Sequence, residues 1–163
     1  MDIMNLILEL AKKEELKDVE ALYNSVINTP YCIWNEEYPS EFEIDLDYKN
    51  NKLFVLKYNN LIIGAASIVP ENEMDDKDCW KELNDDCEIA RIVIHKDYQG
   101  KGFAKKLVSL LIEEIKILKY KSIHLAVHVD HIPAYKTYTG LGFKMVGSTF
   151  MYGHNYKLLE LLL

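Results

Sequence analysis

Basic residues are in the minority in this chain of 163 residues: 19 Lys and Arg stand against 26 Asp and Glu, a formal net charge of −7 at pH 7. A partner held through a phosphate backbone needs a basic face, so no nucleic-acid partner is expected. Cysteine is scarce too. Cys32, Cys79 and Cys87 are unevenly spaced and contain no CxxC pair, which argues against a disulfide framework and fits a reducing, cytoplasmic setting. Only seven glycines and four prolines accompany 49% hydrophobic residues, so the chain is neither disordered nor of low complexity. No apolar run reaches the roughly 20 residues that span a bilayer, and the leucine-rich end from Leu158 to Leu163 is interrupted by Glu160. No membrane partner is expected. Acidic residues at Asp2, Glu9, Glu14 and Glu15 take the place of a basic start, so no signal peptide is expected either.

What remains is one domain's worth of ordinary globular sequence with a regular alternation of patterns. Leu6–Ala11 reads as a strand, and Leu16, Val19, Leu22, Tyr23 and Val26 fall at helical spacing after it. Pro30 and Pro39 bracket an irregular aromatic connection holding Tyr31, Trp34 and Tyr38, with one short helical turn expected in it. A second helix is expected over Glu41–Tyr48. Lys52–Tyr58 and Leu61–Val69 form two strands around Asn59-Asn60, a hairpin signal because Asn tolerates the positive φ of tight turns. The strand Glu88–Ile94 leads to the clearest helix, Gly102–Lys119, whose stripe is Ala104, Leu107, Val108, Leu111, Ile115 and Leu118. Then come a strand over Ser122–Val129, a helix over Pro133–Thr139, and strands Phe143–Phe150 and Tyr156–Leu162 around Gly153-His154-Asn155. No linker or repeat divides residues 1–163. The pattern predicts an α/β (α+β) domain, a mixed sheet flanked by helices.

Chemistry concentrates at Gln99-Gly100-Lys101-Gly102-Phe103-Ala104, between a strand and a helix start. The first amides of a helix lack intrahelical partners, and glycines let an anion approach them, so a phosphate-bearing ligand is expected. A Walker-type loop needs Ser or Thr after Gly-Lys, and Gly102 stands there instead. A dinucleotide fingerprint needs a small residue where Lys105 stands. Lys101, Lys105 and Lys106 lie in the helix's first turn, where acids are normally preferred; they suit either an anion or a solvated face.

The run from Glu88 to Ala104 resembles motif A of the GCN5-related N-acetyltransferase superfamily, in which Arg or Gln is followed after two residues by Gly, then any residue, then Gly or Ala. Gln99, Gly102 and Ala104 fill those places. His131 to Phe143 resembles motif B of the same superfamily, with Tyr138 ahead of the Gly142-Phe143 pair. The resemblance implies a central, mixed and mostly antiparallel sheet of about seven strands with about four helices, its fourth and fifth strands splayed. It implies acetyl-CoA as cosubstrate, with no metal, and transfer of the acetyl group to a primary amine by direct attack in a ternary complex. The pyrophosphate would lie on the amides of Gln99, Gly100, Lys101, Gly102, Phe103 and Ala104. The pantetheine arm would pair with the backbone of Ile92, Val93 and Ile94 where a bulge frees it, and the Ile92 N–H would hold the oxyanion. His131 stands where the family more often has Asn and can still donate a hydrogen bond to the coenzyme.

Two side chains carry the proton chemistry in this reading. Tyr138, which the resemblance sets beside the sulfur at the start of the motif B helix, is the proton donor. Glu88 stands where some members carry a general base; the plain alternative is a strand-start residue or a partner of Arg91. Strand spacing holds the side chains of His124, His128, Asp130 and His131 apart, and no cysteine joins them, so metal is not expected. Trp34, Tyr38 and Trp80 either line an amine pocket or pack in the core. The acidic stretch Pro70–Asp86 is either a solvated loop or the rim of a site for a cationic acceptor. The acceptor is a small molecule or peptide amine, and homodimerisation is common in the family. A non-catalytic acyl-CoA-binding sensor or docking module is the competing reading.

Overall fold

The computed structural model describes residues 5–70, 74 and 77–163. Along them run β1 (Leu6–Leu10), α1 (Leu16–Ser25), α2 (Glu41–Lys49), β2 (Leu53–Tyr58), β3 (Leu61–Val69), β4 (Asp86–Ile94), α3 (Phe103–Ile117), β5 (Ser122–His128), α4 (Ile132–Gly140), β6 (Lys144–Met151) and β7 (His154–Leu162). The strands form one mixed sheet in the order β1-β2-β3-β4-β5-β7-β6. Hairpin neighbours β1–β2, β2–β3 and β6–β7 are antiparallel, as is β5–β7, whereas β4 and β5 are parallel. A parallel pair needs a crossover, and α3 supplies it. The expected order and fold class are those observed. No helix among the described residues is long and apolar enough to cross a membrane.

The chain divides into two compact units, one holding the stretch up to Ile68 and Ala90–Leu110, the other Val69–Ile89 and Leu111–Leu163. In the first, Val19, Leu22 and Tyr23 of α1 and Ile44 of α2 pack with Leu53, Val55, Ala65 and Val93 of the strands. Fully burying one such aliphatic side chain contributes about 1.5–3 kcal/mol. α2 begins at a capping box: Phe42 N–H donates to Ser40 Oγ at 3.2 Å, and Ser40 N–H donates to Glu43 Oε2 at 2.7 Å. Burial alone would raise the Glu43 pKa, but its bonds to Ser40 hold it below the ordinary 4.5. The β2–β3 turn has Asn59 and Asn60 at φ 50° and 67°, the left-handed pair its sequence calls for. The aromatic connection differs from expectation. Asn35 and Tyr38 form an isolated antiparallel bridge there instead of a helical turn, because the Asn35 side-chain oxygen accepts the Glu37 N–H at 2.7 Å and closes a non-helical turn.

In the second unit, Trp80, Met74 and Leu158 make a small core. The β6–β7 turn falls at Tyr152 and Gly153, at φ 53° and 79°, so His154 and Asn155 belong to β7 rather than to the turn. All three cysteines are free thiols.

Candidate functional site

β4 ends in a short 3-10 turn over Lys96–Tyr98, then Gln99 extends the chain into the glycine turn. Gly100 and Gly102 have φ of +74° and +86°, and a Cβ on either would meet no atom within 4 Å. Glycine is therefore demanded by backbone conformation, with open space left above both residues. The Lys106 N–H donates to the Gly102 carbonyl at 3.2 Å. That first bond leaves the amides of Phe103, Ala104 and Lys105 outside the helical ladder. Phe103 is 3% exposed and meets the rings of Tyr58 and Tyr98 at 5.7 and 5.9 Å, so its side chain anchors the helix start and only its amide faces a ligand role. Lys101 lies 5.6 Å over the Tyr98 ring, Lys105 is exposed, and no acid occupies the first turn. The surroundings fit an anion. Gln99 contributes in a way its motif position did not reveal. Its side-chain amide donates to the Ile94 carbonyl at 3.1 Å, tying the turn to the end of β4.

β4 is irregular beyond its first residues. Its parallel ladder with β5 covers only Asp86, Cys87 and Glu88 against Ser122, Ile123 and His124. Two residues past Ile89, Arg91 has φ +53°. Val93 and Ile94 are 4% and 6% exposed, so their side chains belong to the core. Ile94 presses close to β3: a Cβ on Gly64 would fall 2.8 Å from Ile94 Cδ1 and 3.1 Å from the Val93 carbonyl oxygen. Ile92 is half-buried.

Arg91 itself is engaged. Its Nε donates to Asp47 Oδ2 and its Nη2 to Asp47 Oδ1, both at 2.9 Å, while Nη1 reaches the Tyr38 hydroxyl at 3.3 Å. Ser67 Oγ donates to Asp47 Oδ2 at 2.6 Å. Burial alone would lower the guanidinium pKa, yet the Asp47 carboxylate more than offsets that and raises it. α2 presents Asp47 to Arg91 from 44 residues away, a partner that spacing in the sequence does not reveal. Glu88 is half-buried in β4, opposite His124 in register.

The aromatics divide. Trp34 packs edge-on against Tyr23 at 5.4 Å, and Tyr38 belongs to the Arg91 cluster. Trp80 is a core residue instead: it stacks on His124 with centroids 3.9 Å apart, and its indole N–H donates to the Met74 carbonyl at 2.8 Å. His124 is fully buried between two carboxylates, with Nδ1 3.3 Å from Asp86 and Nε2 2.9 Å from Glu160. The acidic stretch is thus not uniformly solvated, since Asp86 is 6% exposed, while Glu71, Glu73, Asp75 and Asp76 lie outside the described residues. Glu160 accepts the amides of Lys81 and Glu82 at 3.1 and 3.2 Å, which ties that loop to β7.

In α4, His131 is the N-cap: its Nδ1 accepts the Ala134 N–H at 3.2 Å, which sets its proton on Nε2. Burial is the main cause that pulls the His131 pKa below the ordinary 6.5, with His128 adding to it. Tyr138 stands in the last turn of α4 rather than at its start, because the helix opens seven positions earlier at the His131 cap. It is 8% exposed, its ring meets Phe143 at 6.2 Å, and burial raises the phenol pKa above the ordinary 10.0. A cavity of about 280 Å³ lies elsewhere in the first unit, lined by Glu15, Asp18, Leu22, Ile62 and His95, and includes none of the expected site residues.

Residues 19–143 match the model of the Acetyltransferase (GNAT) family. The spermine/spermidine N(1)-acetyltransferase of Bacillus subtilis (strain 168) is 30% identical over 109 residues, covering 65% of this chain and 68% of that protein. Among solved structures, a GNAT-family acetyltransferase from Streptococcus agalactiae superposes with a TM-score of 0.83 at 20% identity, over 96% of this chain and 95% of the other. The yncA protein of Salmonella typhimurium, solved with its cofactor acetyl-CoA, gives 0.77 at 18% identity over 97% and 94%. At these identities the two structures speak for the fold alone.

Proposed function

The chain belongs to the acetyltransferase (GNAT) family, and from that premise we propose that it transfers the acetyl group of acetyl-CoA to a primary amine of a cationic small molecule, with polyamines the leading class. One observation carries the coenzyme half of this reading: ladder-free amides, in a helical first turn that holds no acid, follow a turn in which Gly100 and Gly102 leave open space. The acceptor half draws on the polyamine named for the Bacillus relative and on the net charge of −7, which favours a cationic substrate.

The residues divide the work as follows. The turn from Gln99 to Ala104 binds the pyrophosphate, and Ile92, Val93 and Ile94 offer backbone groups to the pantetheine arm. Bound acetyl-CoA supplies an activated acetyl thioester. The Ile92 N–H takes the negative charge that develops on the carbonyl oxygen as the neutral amine attacks and the new C–N bond forms. Glu88 accepts the proton that the amine nitrogen must lose. Tyr138 gives a proton to the sulfur as the C–S bond breaks and regains one from water, while Glu88 releases the proton it accepted to water. The products are an N-acetylamine and coenzyme A, with protons in balance. His131 offers its Nε2–H as a coenzyme contact in place of the more frequent Asn.

A thiol-release assay with acetyl-CoA tests this against spermine, spermidine, aminoglycosides, amino acids and peptides. Turnover is expected on the polyamines, with kcat/KM at least about tenfold above the other classes, a difference of about 1.4 kcal/mol. Acetyl-CoA binding without turnover on any amine would replace the enzyme by the acyl-CoA-binding module.

A further inference from the structure

Among the described non-glycine residues with left-handed φ, Arg91 is the one that lies inside a strand. A long side chain gains nothing by adopting that conformation, and glycine would adopt it freely. At the same residue the side chain is anchored at its far end. The guanidinium is gripped through Nε and Nη2 by both oxygens of Asp47, whose side chain is 5% exposed, and Asp47 is in turn held by Ser67 Oγ. Two-point pairing fixes the guanidinium in direction as well as place. The grip spans α2, β3 and β4 and is formed wholly within one compact unit.

The peptide that follows Arg91 carries the Ile92 N–H. The direction of that N–H depends on the backbone rotation at Arg91, so a side chain locked to α2 and β3 aims an amide on β4. Preorganised donors stabilise developing charge only when their direction is fixed before reaction, and a small misplacement is costly in rate. We infer that Arg91 and Asp47 are a positioning pair for acetyl transfer: they hold β4 at its left-handed residue so that the Ile92 N–H points at the thioester oxygen. The inference rests on the acetyl-transfer reading above. Neither residue touches the reacting atoms in this role. Ser67 supports Asp47, and the Tyr38 hydroxyl accepts from the guanidinium at Nη1.

A purely structural ion pair and a positioning pair make different demands. Arg91→Gly keeps the backbone conformation accessible and removes the grip. Arg91→Lys keeps the charge and loses the two-point geometry. Asp47→Asn keeps the shape and weakens the pairing. All three are measured for kcat, for KM toward acetyl-CoA, for melting temperature, and for the carbonyl stretching band of bound acetyl-CoA labelled with carbon-13 at the acetyl carbonyl. Expected are falls in kcat of about 10- to 100-fold with KM changed less than about threefold. The carbonyl band moves toward its position in water. The Arg91→Lys, Asp47→Asn double variant is no worse than the weaker single, since the two residues act as one unit. Ser67→Ala, which removes only the support to Asp47, serves if a charge change unfolds the chain, with kcat expected to fall about threefold and the band to shift in the same direction. Unchanged kcat in the folded variants overturns the inference, and so does a fall in kcat with an unmoved carbonyl band. A wild-type protein that turns over no amine fails earlier and differently: it removes the acetyl-transfer reading and this inference with it.

Discussion

Tyr138 is a phenol shielded from water, and that shielding sets both its protonation and the test of its role. Burial raises its pKa above the ordinary 10.0, so the proton it would give to a leaving thiolate is still present at pH values where an exposed phenol ionises. Tyr138→Phe keeps the ring packed against Phe143 and removes only the hydroxyl. Turnover should fall by about 100-fold with the KM for acetyl-CoA within about twofold, as for loss of a positioned general acid. In the wild type, the kcat profile should show no decline from this residue up to about pH 10. Unchanged turnover in the Phe variant removes the assignment. The motif position of Tyr138 was legible in the sequence because it is fixed by distance to Gly142-Phe143. The service of Gln99 to the Ile94 carbonyl was not, since a motif records which residue is present and not where its side chain turns.

At the scale of an element, α4 is a helix capped by a histidine, and the cap works in one protonation state. Nδ1 must stay unprotonated to accept the Ala134 N–H. The His131 pKa is lowered in the folded chain, chiefly by burial, so the unfolded chain binds its proton first as pH falls. The stability contributed is complete above the ordinary 6.5 and declines as pH drops from there toward the lower folded value. Urea unfolding between about pH 5 and 7 should show this slope, and His131→Asn, which caps without titrating, should flatten it. An identical slope in the variant assigns the effect to another group. α2 follows the opposite ionic logic with the same outcome. Its capping carboxylate, Glu43, is held below 4.5 by Ser40, so its contribution is present at neutral pH and lost as pH falls through the folded value. Element order was readable from spacing alone, and most boundaries shift by only one or two residues. The exception is the aromatic connection, where a side chain of Asn35 decided the local turn.

For the whole molecule, coenzyme binding and stability are linked. A ligand that binds only the folded chain raises its stability by about 2.7 kcal/mol at a hundredfold excess over Kd. Coenzyme A should therefore raise the melting temperature by several degrees. The rise should shrink with added salt, because Lys101, Lys105 and Lys106 face the phosphates in this reading. Replacing the three lysines by Gln should weaken the shift and flatten its salt dependence. An undiminished shift would return those lysines to a solvated face.

Local pattern determined the strands, the helices, the glycine turn and the family, because each depends on residues close together in the chain. Gly100 and Gly102 announce their left-handed backbone by being glycine, and Asn59-Asn60 announces its hairpin in the same way. Tertiary structure alone decided which polar residues face one another. Asp47 reads as one acid among several on α2, and Glu160 as a charge interrupting a run of leucines. Folding buries the first against Arg91 and the second against His124. Asp86, taken with a solvated stretch, becomes the other wall around that imidazole, and Trp80 becomes its stacking partner instead of a pocket lining. Such pairs join residues 36 to 44 positions apart, and a charge inside a protein is tolerated only where its partner arrives with it. No periodicity in the sequence carries that information, because the partner's arrival is a property of the packed sheet and helices.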